Sequence, residues 1–183
     1  MNLKKIIILV SGRGSNMTAI INAVKNGDLK LKISSVYSDK KNPEAFKYAH
    51  ENNIKTEYLS SKIKIFEEKL KNIIIEEKID YIILAGFMRI LSEEFTKEFE
   101  NRIINIHPAL LPAFPGLDAQ KQAWDYGVLY TGVTVHFVDK GVDTGKIIHQ
   151  NIYKIDRNKD FDYFKKDLLK LEHKTFIEAL QKL

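Results

Sequence analysis

Lys5-Ile6-Ile7-Ile8-Leu9-Val10-Ser11-Gly12-Arg13-Gly14-Ser15-Asn16 is the stretch on which the fold turns. A short, almost wholly apolar run ends in a turn containing two glycines, and residues 16–25 behind it have the apolar spacing of a helix. A continuous apolar run of this length suits a strand buried on both faces, and a glycine turn leading into a helix suits the start of a βαβ unit. The stretch beginning at Met1 briefly resembles a signal peptide. Its apolar part is short, however, and a glycine-rich turn stands where a small-residue cleavage site would be, so it reads as a first buried strand.

The same alternation continues along the chain. Residues 32–37, 55–59, 80–87 and 102–106 read as further strands, and residues 43–51, 66–77 and 92–98 as helices between them. Pro43 suits a first helical turn, and Ser92 followed by Glu93 and Glu94 suits a helix N-terminus. Strands alternating with helices at this spacing imply a mostly parallel, twisted sheet covered by helices on both faces, a Rossmann-like α/β domain. The pattern then changes. In residues 130–138, Val133, Val135 and Phe137 alternate with Thr134 and His136, and residues 146–155 are again strand-like. With Gly141 and Gly145 between them, these two stretches are expected to be antiparallel neighbours, ending the sheet with an antiparallel C-terminal strand. Residues 160–183 read as one long helix with Phe161, Phe164, Leu168, Leu171, Phe176 and Leu180 near helical spacing.

A chain of 183 residues makes one domain with a sizeable core, and neither repeat nor linker divides it. We read residues 1–183 as a single domain. No apolar run approaches the roughly 20 residues needed to cross a bilayer. The absence of cysteine excludes disulfides, thiolate nucleophiles and cysteine-bound metals, and is compatible with a reducing cytoplasm. The net charge of +5, from 29 basic and 24 acidic residues, is spread through the sequence. It would help an anionic substrate approach, but it lacks the clustering of a nucleic-acid footprint. Neither nucleic acid nor membrane is expected as a partner, and nothing in the sequence marks an oligomeric state.

Three places could carry chemistry. Ser11-Gly12-Arg13-Gly14-Ser15-Asn16 follows a strand and opens a helix, where free N–H groups and the helix dipole favour an anion. With Met17 in place of the third glycine it departs from the dinucleotide pattern, and it suits one phosphate better than a pyrophosphate. The plainer alternative is a tight turn with Ser15 or Asn16 as an ordinary helix cap. The second place is Asn105-Ile106-His107-Pro108-Ala109-Leu110-Leu111-Pro112, at the end of a strand, where open α/β sheets bind ligands. Asn105 and His107 are two residues apart on that strand and point the same way, an amide beside an imidazole that suits an oxyanion; a turn asparagine and a surface histidine are the alternative. The third is Asp143, between Gly141 and Gly145. It is a turn residue unless the fold brings it to His107, where its charge would favour the protonated imidazole. His50 and His149 read as structural or exposed, while His136 stays open because it shares a strand face with Thr134 and Val138. No metal-ligand spacing and no Gly-x-Ser-x-Gly elbow is present, so neither a metal site nor a hydrolase triad is expected.

These motifs, with Ala85-Gly86-Phe87-Met88-Arg89-Ile90-Leu91 and the stretch from Gly132 to Gly145, closely resemble those of the phosphoribosylglycinamide formyltransferases, in the same order along the whole chain. The resemblance implies transfer of a formyl group from 10-formyltetrahydrofolate, a consumed co-substrate and not a bound cofactor, to the amine of glycinamide ribonucleotide in purine biosynthesis. It implies residues 1–100 as a phosphate- and ribonucleotide-binding half and residues 101–183 as a catalytic and folate-binding half, with Asn105, His107 and Asp143 as the catalytic trio, Gly14, Ser15 and Asn16 as the phosphate site, and Glu172 as a carboxylate near the glycinamide amine. It also implies a folate pocket lined by Met88, Arg89, Ile90 and Leu91, with Asn105 at its inner end and a loop of Asp139, Lys140, Gly141 and Val142 closing on it. The family often has an Arg near the start of the third helix. Here the stretch is Ser61-Lys62-Ile63-Lys64-Ile65-Phe66, with Lys62 or Lys64, the latter as the candidate folate contact, in its place. Lys140 stands where the family usually has an acidic or apolar residue, and Asp118 replaces a common His.

Two relatives with the same trio, methionyl-tRNA formyltransferase and formyltetrahydrofolate hydrolase, usually carry an additional domain and are the alternatives. A non-catalytic nucleotide-binding module would explain the glycine turn but leave the trio without a purpose.

Overall fold

A computed structural model describes residues 3–183; Met1 and Asn2, at the head of the apolar stretch read as a strand, lie outside the described residues. Seven strands form one sheet in the order β3-β2-β1-β4-β5-β6-β7. The strands are β1 (Lys4–Val10), β2 (Leu31–Ser38), β3 (Lys55–Tyr58), β4 (Tyr81–Leu84), β5 (Ile103–His107), β6 (Tyr130–Phe137) and β7 (Ile147–Lys154). The first five are parallel, and β5, β6 and β7 pair antiparallel. The antiparallel end consists of β6 and β7, the two stretches expected to be antiparallel neighbours.

The helices are α1 (Ser15–Lys25), α2 (Glu44–Glu51), α3 (Ile63–Glu76), α4 (Glu93–Glu98), α5 (Ala119–Tyr126) and α6 (Phe161–Leu180). Alternation along β1 divides the core. Ile6, Ile8 and Val10 pack on one face with Met17, Ile20 and Ile21 of α1, Ala45 and Ala49 of α2, and Phe176 and Leu180 of α6. Ile7 and Leu9 pack on the other with Phe66, Leu70 and Ile74 of α3 and Phe95 of α4. All five β1 residues are at most 1% exposed, which explains why the strand reads as an unbroken apolar run.

Three local readings need adjustment. Residues 80–87 were expected to be strand throughout, but β4 ends at Leu84 and Gly86, at φ +77, turns the chain. Pro43 is the residue before α2 and not its first turn. Helix α5 was not anticipated. Its core contacts come from Ala119, Ala123 and Trp124, too small and too few to give an apolar period. Ser92 behaves as read, its hydroxyl accepting from Phe95 N–H at the start of α4, and Asp160 caps α6 in the same way through Tyr163 N–H.

Chain order reverses at β1 and β4, neighbours in space whose following loops leave in opposite directions. Ser11 joins the two loops. Its N–H donates to Gly86 O at 3.1 Å, its hydroxyl donates to Asp39 at 2.7 Å and accepts from Met88 N–H at 2.9 Å.

Candidate active site

The geometry begins with β-sheet register. Asn105 lies directly opposite His136 in the β5–β6 pair, and His107 opposite Thr134. Directly paired residues point to the same face, so all four side chains share one side of the sheet end. Asp143 reaches this face from the loop between β6 and β7. It adopts φ +56 and brings Oδ2 to 3.2 Å from His107 Nδ1 and Oδ1 to 3.6 Å from His136 Nε2. His136 Nε2 lies 3.5 Å from Asn105 Nδ2. The structure thus brings Asn105, His107 and Asp143 together and adds His136, which the sequence left open. His136 is 1% exposed and His107 4%, so neither is a surface histidine.

Both ring nitrogens of His107 have partners. Nδ1 faces a carboxylate, and Nε2 lies 2.7 Å from the carbonyl of Phe114, so both partners are hydrogen-bond acceptors. Burial is the largest influence on Asp143 and pushes its pKa up. The hydrogen bond to His136, the Gly116 N–H at 2.8 Å and the charges of His107 and His136 together outweigh it, and the carboxyl sits below its ordinary value. Asp143 also lines an open depression of about 260 Å³ with Leu111, Pro112, Pro115 and Val142.

Its surroundings are firmly held. Gly145 allows the loop to pass Phe137, since a Cβ there would lie 1.8 Å from the Phe137 carbonyl oxygen. Asp139 accepts from Gly141 N–H and from the Thr144 hydroxyl, closing the turn before Asp143. On the far side of His107, the buried hydroxyl of Thr134 donates to Ala109 O and accepts from Leu111 N–H, fixing the proline-rich turn. The hydroxyl-bearing Thr134 and the imidazole of His136 alternate in the sequence, but only the register tells which β5 residue each one meets.

A second cluster forms around Glu172 on α6. Asn16 Nδ2 donates to one carboxylate oxygen at 3.2 Å and Gln120 Nε2 to the other at 3.1 Å. Burial raises the Glu172 pKa to about 7 against the opposing effect of these two amides. Asn16 Oδ1 is buried and has no hydrogen-bond partner in the protein. Gln120 carried no signal in the sequence because α5 itself did not.

The turn before α1 contradicts the ordinary-cap alternative. Gly14, at φ +76, occupies the N-cap position, and no side chain caps the first turn. Gly14 also has a packing reason to be glycine, because a Cβ would fall 2.6 Å from Ala45 Cβ. Ser15 is exposed and Asn16 is 8% exposed. In the loop after β4, Met88 and Ile90 are 72% and 80% exposed, Arg89 is exposed and Leu91 is buried. Two large apolar side chains presented to solvent beside a switch point suit a ligand wall. Lys140, Gly141 and Val142 are exposed, while Asp139 is half-buried. Lys64 stands exposed in the first turn of α3. Among the described residues no group of three or more His, Asp or Glu side chains could hold a metal.

A doubly wound sheet with an Asn–His–Asp cluster at its strand ends defines a class, and residues 4–180 match the formyl transferase family model: the chain belongs to that family. It is 35% identical over 187 residues to phosphoribosylglycinamide formyltransferase of Bacillus subtilis, covering 99% of this chain and 95% of that protein. It is 38% identical over 186 residues to the trifunctional purine biosynthetic protein adenosine-3 of Drosophila melanogaster, spanning 98% of this chain but only 14% of that much longer protein. In three dimensions it resembles glycinamide ribonucleotide transformylase 1 of Geobacillus kaustophilus, with a TM-score of 0.94 and 34% identity, over 99% of this chain and 98% of that one.

Proposed function

We propose that this chain transfers the formyl group of 10-formyltetrahydrofolate to the amine of glycinamide ribonucleotide, giving N-formylglycinamide ribonucleotide and tetrahydrofolate in de novo purine biosynthesis. The observation that carries the reading is Asp143 seated between two buried histidines, with Asn105 beside them at a strand end. A structural turn aspartate has no need of such a setting.

The reaction needs an unprotonated amine, an electrophilic formyl carbon and stabilisation of the oxygen charge that develops. In this reading the amine attacks the formyl carbon, and the C–N bond to N10 of the folate breaks as that nitrogen takes up a proton. Asn105 is the first oxyanion donor, since its Nδ2 makes only the 3.5 Å approach to His136. Such a donor typically contributes ~3 kcal/mol to the barrier. His107 supplies positive charge. Both its nitrogens face protein acceptors, so its donation to the oxyanion follows opening of the contact to Phe114. Asp143 keeps the imidazolium charged and receives the amine proton through water, passing it on because its own affinity for protons is low.

The other roles are assigned by position. The uncapped first turn of α1 at Gly14, Ser15 and Asn16 holds the ribose phosphate. Glu172 and the unpartnered Asn16 Oδ1 receive the glycinamide end. Met88, Arg89, Ile90 and Leu91 form one wall of the folate pocket and Asp139, Lys140, Gly141 and Val142 the other, with Lys64 toward the folate tail. Residues 1–100 then supply the phosphate site and residues 101–183 the trio. Asn16 and Glu172 join the halves. Tetrahydrofolate leaves as a product, the partners are small molecules, and the location is cytoplasmic. Among the described residues no helix is long and apolar enough to cross a membrane.

The loss of 10-formyltetrahydrofolate, followed with and without glycinamide ribonucleotide, tests this reading. Consumption only when the ribonucleotide is present supports it. Equal consumption without it indicates hydrolysis, and no consumption in either case indicates a binding module.

A further inference from the structure

One short segment holds both charged members of the site. Phe114 O accepts from His107 Nε2 at 2.7 Å, and two residues later Gly116 N–H donates to Asp143 Oδ2 at 2.8 Å, the same oxygen that faces His107. A backbone carbonyl and a backbone N–H thus bracket the ion pair from one side. The path that permits this is unusual, because Phe114 has φ +55 and is not glycine. Such a conformation is strained and persists only where surrounding contacts impose it.

Those contacts come from α5. Gln122 Nε2 donates to Leu117 O at 2.7 Å and to Pro115 O at 3.3 Å, and the Tyr126 ring meets the Phe114 ring edge-on at 5.9 Å. Gln122 and Tyr126 are four residues apart on α5 and share one helical face. Neither touches His107, Asp143 or any reacting atom.

We infer that Gln122 is a positioning residue for the formyl-transfer site: through the segment Phe114-Pro115-Gly116 it sets the backbone N–H that Gly116 donates to Asp143. This deepens the proposed function and rests on it for its kinetic consequences. The groups facing Asp143 are His107 from β5, His136 from β6 and Gly116 N–H from the segment. Of these, Gln122 governs only the last. Losing the Gly116 N–H removes one of the influences that hold the Asp143 carboxyl low. The carboxyl then protonates at higher pH, and the acid limb of the turnover profile moves up.

The test uses the full chain with Gln122→Leu, which removes the donor, Gln122→Glu, which keeps the shape without the N–H, and Gln122→Lys, which restores an N–H donor on a flexible stem. Gln122 is exposed, so these substitutions leave the core intact. The Leu and Glu variants are expected to lose about tenfold in kcat, keep both KM values within about twofold and move the acid limb upward by roughly half a pH unit, with Lys recovering part of each. A second readout does not depend on the substrate. The 13C resonance of the Asp143 carboxyl, titrated without ligand, should show protonation at higher pH in the Leu and Glu variants than in the unsubstituted protein. An unchanged Asp143 titration overturns the inference, as does a kcat loss that is uniform across pH. If the unsubstituted protein fails to formylate glycinamide ribonucleotide, the proposed function falls, while the carboxyl titration still decides the role of Gln122.

Discussion

At the residue scale, the site is an exercise in partner counting. His107 has two ring nitrogens and two acceptors, and Asp143 has two oxygens shared among two histidines and a backbone N–H. Replacing Asp143 with Asn keeps the shape, removes the counter-charge and presents an N–H where His107 also presents one. Turnover should fall about 10²-fold or more, with the KM for the ribonucleotide changed far less, as steady-state kinetics would show. A fall in affinity with turnover preserved would place Asp143 in binding instead. Glu172 makes the opposite electrostatic case. Its carboxyl has a pKa of about 7 in the folded chain against 4.5 for the ordinary group, chiefly through burial. A raised carboxyl pKa means that folding favours the protonated form, so its contribution to stability is present below about pH 4.5 and lost as pH rises through 7. Glu172→Gln should therefore unfold at higher denaturant than the unsubstituted protein at pH 8, by up to roughly 3 kcal/mol, with the gap closing toward pH 4.5. The same variant should bind the ribonucleotide more weakly. Equal stability of the two proteins at pH 8 would mean that the carboxylate is better solvated than its burial implies. Asn105, His107 and Asp143 were legible as residues because their motifs are local. His136 was not, since its strand face is plain in the sequence but its pairing with Asn105 depends on register across an intervening helix and loop.

At the element scale, the start of α1 carries the sharpest prediction. Its first turn has no side-chain cap and no acidic residue, an arrangement that leaves the helix dipole uncompensated. Ser15→Glu would place a negative charge where the helix gains from it and a phosphate would suffer. The variant should be as stable as the original or more so, by about 0.5 kcal/mol, while the KM for glycinamide ribonucleotide rises about tenfold or more and that for the folate changes little. A rise in both KM values together would argue against a dedicated phosphate site. Replacing Gly14 is a poorer probe, because the clash with Ala45 would disturb α1 and α2 before any ligand arrived. Strands β1, β2, β4, β5 and β6 and helices α1, α3 and α6 were readable because each buries large apolar side chains. Helix α5 was hidden because it meets the core mainly through Ala119, Ala123 and Trp124, yet it carries Gln120 and Gln122, which support two different parts of the site.

At the scale of the whole molecule, the sheet order brings distant motifs together. The turn after β1 and the loop after β4 meet through Ser11, and Asn16 near the start of the chain reaches Glu172 near its end. The two antiparallel strands at the end of the sheet carry His136 and the Asp143 loop onto the face of β5. The parallel order could be inferred from alternation of strands and helices and the antiparallel pairing of β6 with β7 from their closeness in sequence, whereas the placing of β6 and the Asp143 loop on β5 depends on long-range pairing. The central claim, that these parts form one formyl-transfer site, is tested most directly by following the group itself. With 10-formyltetrahydrofolate labelled with 13C in the formyl carbon, NMR of the reaction mixture should show the label passing into N-formylglycinamide ribonucleotide in step with tetrahydrofolate formation. Label appearing as free formate, or remaining on the folate while the ribonucleotide is unchanged, would contradict the account.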